Sequence, residues 1–195
     1  MESEKTEKMK EYRDAVEFLA EHEVNSVMLN SGNEHATIIF QNIFSNSKNH
    51  IKILAGNLHN DVTESPEYIA GLVKFLQLRN SKLDIMLDRF DGTQKSMLFE
   101  KLFLYKEKIN IKSTNTEFYF SKANEKEEST KNPVHFCIGD KRMYRLETDT
   151  KQRSARCNFN DSEYVSKLDG LFSKAFEKGE TIDWYQLVNK GHLMK

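Results

Sequence analysis

Cysteine, tryptophan and a predominant sign of charge are all scarce or missing in this chain. Its 195 residues include two cysteines and one tryptophan, and 29 Lys and Arg residues are balanced by 30 Asp and Glu residues. A uniformly basic nucleic-acid binder is therefore excluded, and any anion-binding surface must be local. The sequence also lacks a long apolar run of the ~18 residues that a membrane span needs, and its N-terminus lacks an apolar signal core. We expect a cytoplasmic protein without a membrane partner.

The two cysteines, Cys137 and Cys157, do not occur in a CxxC pair or in another spacing typical of metal ligands. No metal site is therefore expected from them. Sparse cysteine is typical of a reducing compartment, where thiols persist. We expect both side chains to remain thiols.

Helix-like and strand-like apolar spacing alternates along most of the chain. The predicted elements are a helix over 1–22, a strand over 24–29, a helix opening at Glu34, a strand over 51–56, a helix capped by Ser65, a strand over 82–87, a helix over 95–106, strands over 109–112 and 116–120, a polar loop over 123–131, a hairpin, and a last helix capped by Asp161 and ended by Gly179. This order predicts an α/β domain with a mixed sheet. We expect an N-terminal helix at 1–23, the main domain at 24–178 and a closing segment at 179–195.

The N-terminal helix is strongly polar but carries a short apolar stripe, formed by Tyr12, Val16, Phe18 and Leu19. Such a stripe either packs on the core of its own domain or serves as an arm for a partner chain. We favour packing on its own core, since most amphipathic helices do this.

Residues 133–160 contain most of the side chains that are candidates for catalysis or ligand binding. The stretch predicts two short strands joined by a tight turn and followed by a polar loop. Along it lie, in order, His135, Cys137, Asp140, Lys141, Arg145, Glu147 and Asn158. Because side chains alternate along a strand, Arg145 and Glu147 should share one face. They either face a cleft or form a buried pair.

In this order the chain resembles a half-domain of the phospholipase D-like superfamily, over about residues 24 to 178. That family's pattern is His-x-Lys, four further residues, Asp, and later Gly-Ser-x-Asn. The resemblance implies a mixed sheet with helices on both faces and a metal-independent phosphodiesterase that needs no cofactor. Its histidine attacks phosphorus to form a phosphohistidine, a second histidine protonates the leaving oxygen, and lysine and asparagine stabilise the phosphate oxygens.

On this resemblance, His135 is the nucleophile or acid, and Asn158 and Arg145 are phosphate ligands. Either Asp140 or Glu147 orients the histidine. Lys141, at the turn, is a further phosphate-binding candidate and is expected to be solvated. The chain contains one motif and the active site needs two, which implies a homodimer whose hairpins meet on a two-fold axis.

The chain departs from the family pattern at several positions. Cys137 stands where lysine belongs, and a thiol supplies no fixed positive charge. Asp140 follows His135 by five residues where the family has seven, and aligning that aspartate instead would put His135 at the lysine position and Pro133 at the histidine position. Ala-Arg-Cys-Asn at 155–158 retains only the asparagine. Arg145 and Glu147 are partial replacements.

Two functions follow from these residues. The first is a metal-independent phosphodiesterase, most simply a nuclease. The alternative is an inactive phospholipase D-like domain that binds nucleic acid or protein within a defence or regulatory assembly. His35, at a helix start, and His59, after a strand, are also considered, and each is expected to be a surface histidine.

Overall fold

The computed structural model describes residues 2–92, 96–114, 133–149 and 154–188. Its strands are β1 (Met28–Asn30), β2 (His50–Ala55), β3 (Lys82–Leu87), β4 (Ile109–Ser113), β5 (His135–Gly139), β6 (Met143–Asp149), β7 (Ser154–Asn158) and β8 (Glu180–Thr181). Its α-helices are α1 (Glu2–Glu21), α2 (Asn33–Asn46), α3 (Pro66–Leu76), α4 (Met97–Leu102), α5 (Ser162–Lys178) and α6 (Trp184–Leu187). A 3₁₀ helix, Phe103–Lys108, continues α4.

The strands form one mixed sheet in the order β1-β7-β6-β5-β2-β3-β4-β8. Strands β2, β3 and β4 are parallel, and the other pairings are antiparallel. The register aligns Ala55 with Leu87 and Leu87 with Ser113, so the carboxyl ends of the parallel strands meet at one edge. Strand β5 begins at that same edge with His135, because Phe136 pairs with Leu54. The predicted mixed α/β architecture is confirmed.

Helices cover both faces of the sheet. On one face, α2, α3 and α4 bury a core with alternate sheet residues such as Ile53, Ile85 and Cys137. On the other face, α5 packs on the intervening positions, such as Leu54 and Met86. Because side chains alternate along each strand, the strand period alone decides which core a sheet residue joins.

Local capping chemistry fixes the starts of α3 and α5. The Ser65 hydroxyl accepts a hydrogen bond from the Tyr68 N–H, and Pro66 occupies the first turn of α3. The Asp161 carboxylate accepts from the Tyr164 N–H in the same way. Both caps agree with the sequence prediction.

The segment after the hairpin differs from prediction, because the expected polar loop contains strand β7. Its residues alternate, with Ala155 and Cys157 directed to the α2 face and Arg156 to the α5 face. There the Arg156 guanidinium lies over the Tyr164 ring, 4.5 Å from its centroid. This contact with helix α5 accommodates a charged side chain within the strand. The strand predicted at 116–120 and the loop at 123–131 lie outside the described residues.

Helix α1 packs against α2 through one face. Val16 and Ala20 are fully buried there, and Tyr12 and Leu19 pack beside them. Phe18, which the apolar stripe included, instead lies 55% exposed on the outer side. Within the described ranges, no helix combines the length and apolar character needed to cross a membrane.

Candidate active site

A cavity of about 290 Å³ opens at the sheet edge where the parallel strands end. It lies between the end of β2, the start of β5, the first half of α2, the loop after β2 and the start of α3. Its polar lining consists of Asn57, Asn60, Thr63, Arg89, His135, Arg145 and Glu147, and its apolar lining includes Ala36, Phe40, Ile53, Leu58, Val62 and Tyr68. Carboxyl ends of parallel strands are the usual place for ligands in open α/β sheets.

The imidazole of His135 lies between two carboxylates. Its Nε2 is 3.2 Å from Asp88 Oδ2, and its Nδ1 is 3.6 Å from Glu147 Oε2. The Asp88 side chain is fully buried, and the His135 side chain is 12% exposed. Such a buried pair of anions is stable only with cations at contact distance. The site therefore holds a charged histidine in place.

Arg145 is the second buried cation of the cavity. It is 2% exposed, its Nη1 donates to Glu147 Oε1 at 3.0 Å, and its guanidinium lies 5.0 Å from the centre of the Phe40 ring. Because Arg145 pairs with Cys137 across β5 and β6, its charge lies beside the position where the family has lysine. The sequence left open whether Arg145 and Glu147 face a cleft or form a buried pair. In the structure they do both, since the pair is buried and also lines the cavity.

The carboxylates set the protonation state of His135. Burial by itself would lower its pKa, but the hydrogen bond to Asp88 and the interaction with Glu147 outweigh burial and raise the pKa of His135 to about 9. Burial would raise the pKa of Glu147, yet His135 and Arg145 hold it below its usual value. At neutral pH the site therefore contains an imidazolium and an ionised glutamate.

The raised pKa predicts a loss of stability in alkaline solution. Below the unfolded-state pKa of 6.5 the contribution of His135 is fully present, and it is lost as the pH rises through the folded-state pKa of about 9. The expected loss is about 3 kcal/mol in the free energy of unfolding, measured by denaturant titration across this window. A His135→Gln variant should show a correspondingly flatter pH dependence, and equal slopes for both proteins would contradict the assignment.

Asn158 does not belong to this cavity. It pairs with Tyr144, whose side chain packs in the α5 core, so it projects from the opposite face of the sheet to His135. Its amide nitrogen donates to Asn25 Oδ1 at 2.8 Å, and its oxygen accepts from the Asn160 N–H at 2.9 Å. The expectation that Asn158 binds the same phosphate as His135 is corrected, because strand alternation separates them.

Asp140 and Lys141 lie at the far end of the hairpin. Both have positive φ, 49° and 60°, and form the tight turn between β5 and β6. The Asp140 carboxylate accepts hydrogen bonds from the backbone N–H groups of Lys48, Asn49 and His50, and so fixes the loop that precedes β2. Asp140 is therefore a structural residue of this turn rather than the partner of His135, and exposed Lys141 is remote from the cavity.

The two cysteines flank Arg145 on the same face of the sheet. Cys137 lies on β5 and Cys157 on β7, each directly opposite Arg145 on the intervening β6. Two strand spacings, about 9.6 Å, exceed the reach of a disulfide. Both are free thiols, and burial raises the pKa of Cys157 to about 12 and that of Cys137 further.

Sequence reasoning missed Asp88, Arg89 and Tyr68. Asp88 directly follows β3, and its carboxylate also accepts from Arg89 Nε at 3.3 Å. Its position after a parallel strand was the available signal, since the same rule drew attention to His59. Tyr68 carried no such signal, because it occupies an ordinary core position of a helix.

The other histidines considered from the sequence lie outside the cavity lining. His59 is exposed and pairs through Nδ1 with Glu64 Oε1 at 2.9 Å. His35 is half-buried against the Tyr12 ring, and its Nδ1 is 2.7 Å from the Ser31 carbonyl oxygen.

The mixed sheet that the described residues form, with helices on both of its faces, has the phospholipase D-like fold. The chain is similar to Nuc from Salmonella typhimurium, a phospholipase D family member, with a TM-score of 0.57 and 13% identity over 82% of this chain and 99% of that one. It is also similar to TrmBL2, an archaeal chromatin protein that binds DNA (TM-score 0.54, 16% identity, 93% of this chain and 65% of that one). Phosphatidylserine synthase from Haemophilus influenzae is similar at a TM-score of 0.51 and 9% identity, over 85% and 42% of the two chains. No protein-family profile matches the chain, and no curated protein sequence does.

Proposed function

We propose that the protein is a metal-independent phosphodiesterase, most simply a nuclease, that acts as a homodimer through a covalent phosphohistidine on His135. The observation that carries the proposal is the arrangement of His135, Glu147 and Arg145 in one cavity at the ligand-binding edge of the sheet. It supplies a nucleophile, a carboxylate that orients it and a fixed positive charge, which are the parts that phosphoryl transfer to histidine needs.

The charge of the cavity suits a phosphate diester. With His135 protonated, the cations Arg89, His135 and Arg145 lie together at the cavity, beside the carboxylates of Asp88 and Glu147. A phosphodiester carries one negative charge, which these cations would attract. Arg145, which lies opposite Cys137 in the sheet, would then stabilise the phosphate oxygens in place of the family's lysine.

The reaction would begin when His135 Nε2 separates from Asp88 and gives its proton to solvent water. Nε2 attacks phosphorus, a P–N bond forms, and the bond to the leaving oxygen breaks as His135 of the partner subunit protonates that oxygen. Water then attacks the phosphohistidine and gives its proton to the partner subunit's His135. The P–N bond breaks, a phosphate monoester leaves, and His135 is restored.

An Asp88→Asn variant tests this account through its pH dependence. Removing the Asp88 charge lowers the pKa of His135, so the nucleophile becomes neutral at lower pH, and the acidic limb of the kcat/KM profile should shift downward by about one pH unit or more. The assay is phosphodiester cleavage in EDTA. The matched control is Asp140→Asn, which makes the same change at the hairpin turn and should leave the profile in place.

Either of two results would count against the proposed enzyme. One is a wild-type protein that cleaves no phosphodiester in EDTA at any pH. The other is a monomeric mass in solution by light scattering under assay conditions, since a lone half-site lacks the second histidine.

A second candidate is a phospholipase D-like domain that binds nucleic acid or protein without cleavage. The observation that favours it is the contact of His135 Nε2 with the buried Asp88 carboxylate, at 3.2 Å. Nε2 is the atom that would have to attack phosphorus, and this contact engages it. This candidate predicts no turnover, together with ligand binding that survives His135→Gln.

A further inference from the structure

Tyr68 brings an unsatisfied hydroxyl to the cavity of His135. The residue is fully buried near the start of α3, and its ring packs edge-on against Phe40 and Phe44, each at 5.0 Å between centroids. Among the described residues, nothing forms a hydrogen bond with the Tyr68 hydroxyl. A buried polar group without a partner costs about 1–3 kcal/mol. A hydroxyl kept at this cost beside a cavity indicates a ligand that carries an acceptor.

The Tyr68 hydroxyl stays neutral there and can donate a hydrogen bond. Burial holds the pKa of Tyr68 well above its ordinary value, so the proton stays on the oxygen at neutral pH. The cavity that Tyr68 lines also contains Arg145 and His135. An anionic oxygen drawn to these cations would find the Tyr68 O–H as an additional donor.

The remaining wall of the cavity is apolar, and one of its residues has a strained backbone conformation. Phe40, Leu58 and Val62 line it, and Leu58 is buried with φ 54°, in the left-handed region. That conformation costs a non-glycine residue roughly 1–2 kcal/mol, and such strain is concentrated at ligand sites. The strained backbone places a leucine in the wall, so one part of the ligand should be apolar.

Size and charge point to a small molecule rather than a polymer. The cavity volume of about 290 Å³ lies at the lower end for small-molecule sites. A polyanion needs a row of cations along its backbone, whereas the cavity's arginines and histidine each contact a carboxylate and the whole chain has a net charge of −1.

We propose that this cavity binds a small phosphodiester, with its charged oxygens toward Arg145 and Tyr68 and an apolar substituent against Phe40, Leu58 and Val62. The inference rests on the proposed function for the nature of the charged group. It does not require that the ligand be cleaved. It makes Tyr68 a binding residue, and it narrows the substrate class from nucleic acid to small diesters.

The test is calorimetric titration with bis(para-nitrophenyl) phosphate at mildly acidic pH, where a protonated His135 keeps turnover slow. Tyr68→Phe removes only the hydroxyl and should weaken binding about tenfold, the loss of one hydrogen bond to a charged group. Its thermal stability should equal or exceed that of the wild type, since a buried unsatisfied group is removed. Tyr12→Phe is the matched control, because its hydroxyl is also buried and unpartnered among the described residues but lies outside this cavity.

The outcomes separate this inference from the proposed function. Binding that Tyr68→Phe weakens and Tyr12→Phe does not, without cleavage at any pH, supports the inference and rejects only the enzyme. Wild-type affinity in Tyr68→Phe overturns the inference. So does binding or cleavage of single-stranded or duplex oligonucleotides by a protein that does not bind the small diester, and that result would support the nuclease. Absence of both binding and cleavage rejects both proposals.

Discussion

Replacing His135 with alanine is expected to reduce phosphodiester cleavage in EDTA at least about a thousandfold. In the proposed dimer the substitution removes the nucleophile from one subunit and the acid from the other, and losses of this size are usual for groups that take part directly in bond making. The measurement is the initial rate of hydrolysis of a chromogenic diester and of an oligonucleotide. Unchanged cleavage would reject the role given to His135.

Folding must be separated from chemistry in this experiment. Alanine at position 135 would leave the buried Asp88 carboxylate without its imidazolium partner, and uncompensated buried charge is destabilising. His135→Gln retains a donor toward the carboxylates and is the variant to use if His135→Ala unfolds. His59→Ala, at an exposed histidine after β2, is the matched control and should retain wild-type cleavage.

The second large effect concerns stability rather than turnover. Arg145→Met should lower the free energy of unfolding by about 3 kcal/mol, because Glu147 would lose the guanidinium bonded at 3.0 Å and remain largely buried. His135 stays beside Glu147 and limits the loss. Denaturant titration at neutral pH measures the effect.

A double variant identifies the cause of the destabilisation. Arg145→Met combined with Glu147→Gln removes both members of the ion pair and should recover most of the lost stability, since no uncompensated glutamate charge remains. Arg13→Met is the control for removing an arginine, because Arg13 is exposed and its guanidinium donates to the neutral Gln41 Oε1, and it should change stability by less than about 0.5 kcal/mol. A stable Arg145→Met protein would show that the pair contributes little.

Much of the fold could be predicted because its signals are local. Ser65 and Asp161 cap helices wherever they precede an apolar periodic segment, and the predicted strand over 82–87 coincides with β3. The tight turn at Asp140 and Lys141 could likewise be recognised between two strand-like segments. In contrast, β7 was missed because Arg156 and Asn158 look solvent-exposed in sequence, whereas helix α5, Tyr164 and Asn25 cover them in the fold.

In the candidate site, too, some features could be predicted from the local sequence and others depended on tertiary contacts. Strand alternation sufficed to place Arg145 and Glu147 on one face, and the structure adds His135 to that face through the pairing of β5 with β6. The same rule, applied across β6 and β7, excludes Asn158. To exclude Asn158, one must know the register in which β6 and β7 pair. The spacing of motif residues along the chain does not give that register.

By itself the sequence determined most of the elements, their order and the alternation of side chains along each predicted strand, because periodicity, capping and turn chemistry act over a few neighbouring residues. Only the tertiary structure decided which charges meet. Asp88 reaches the imidazole of His135 from 47 residues away, and Tyr68 and Phe40 arrive on separate helices. Contacts of that range depend on strand register and helix packing, which are set by the burial of the whole core rather than by any local pattern.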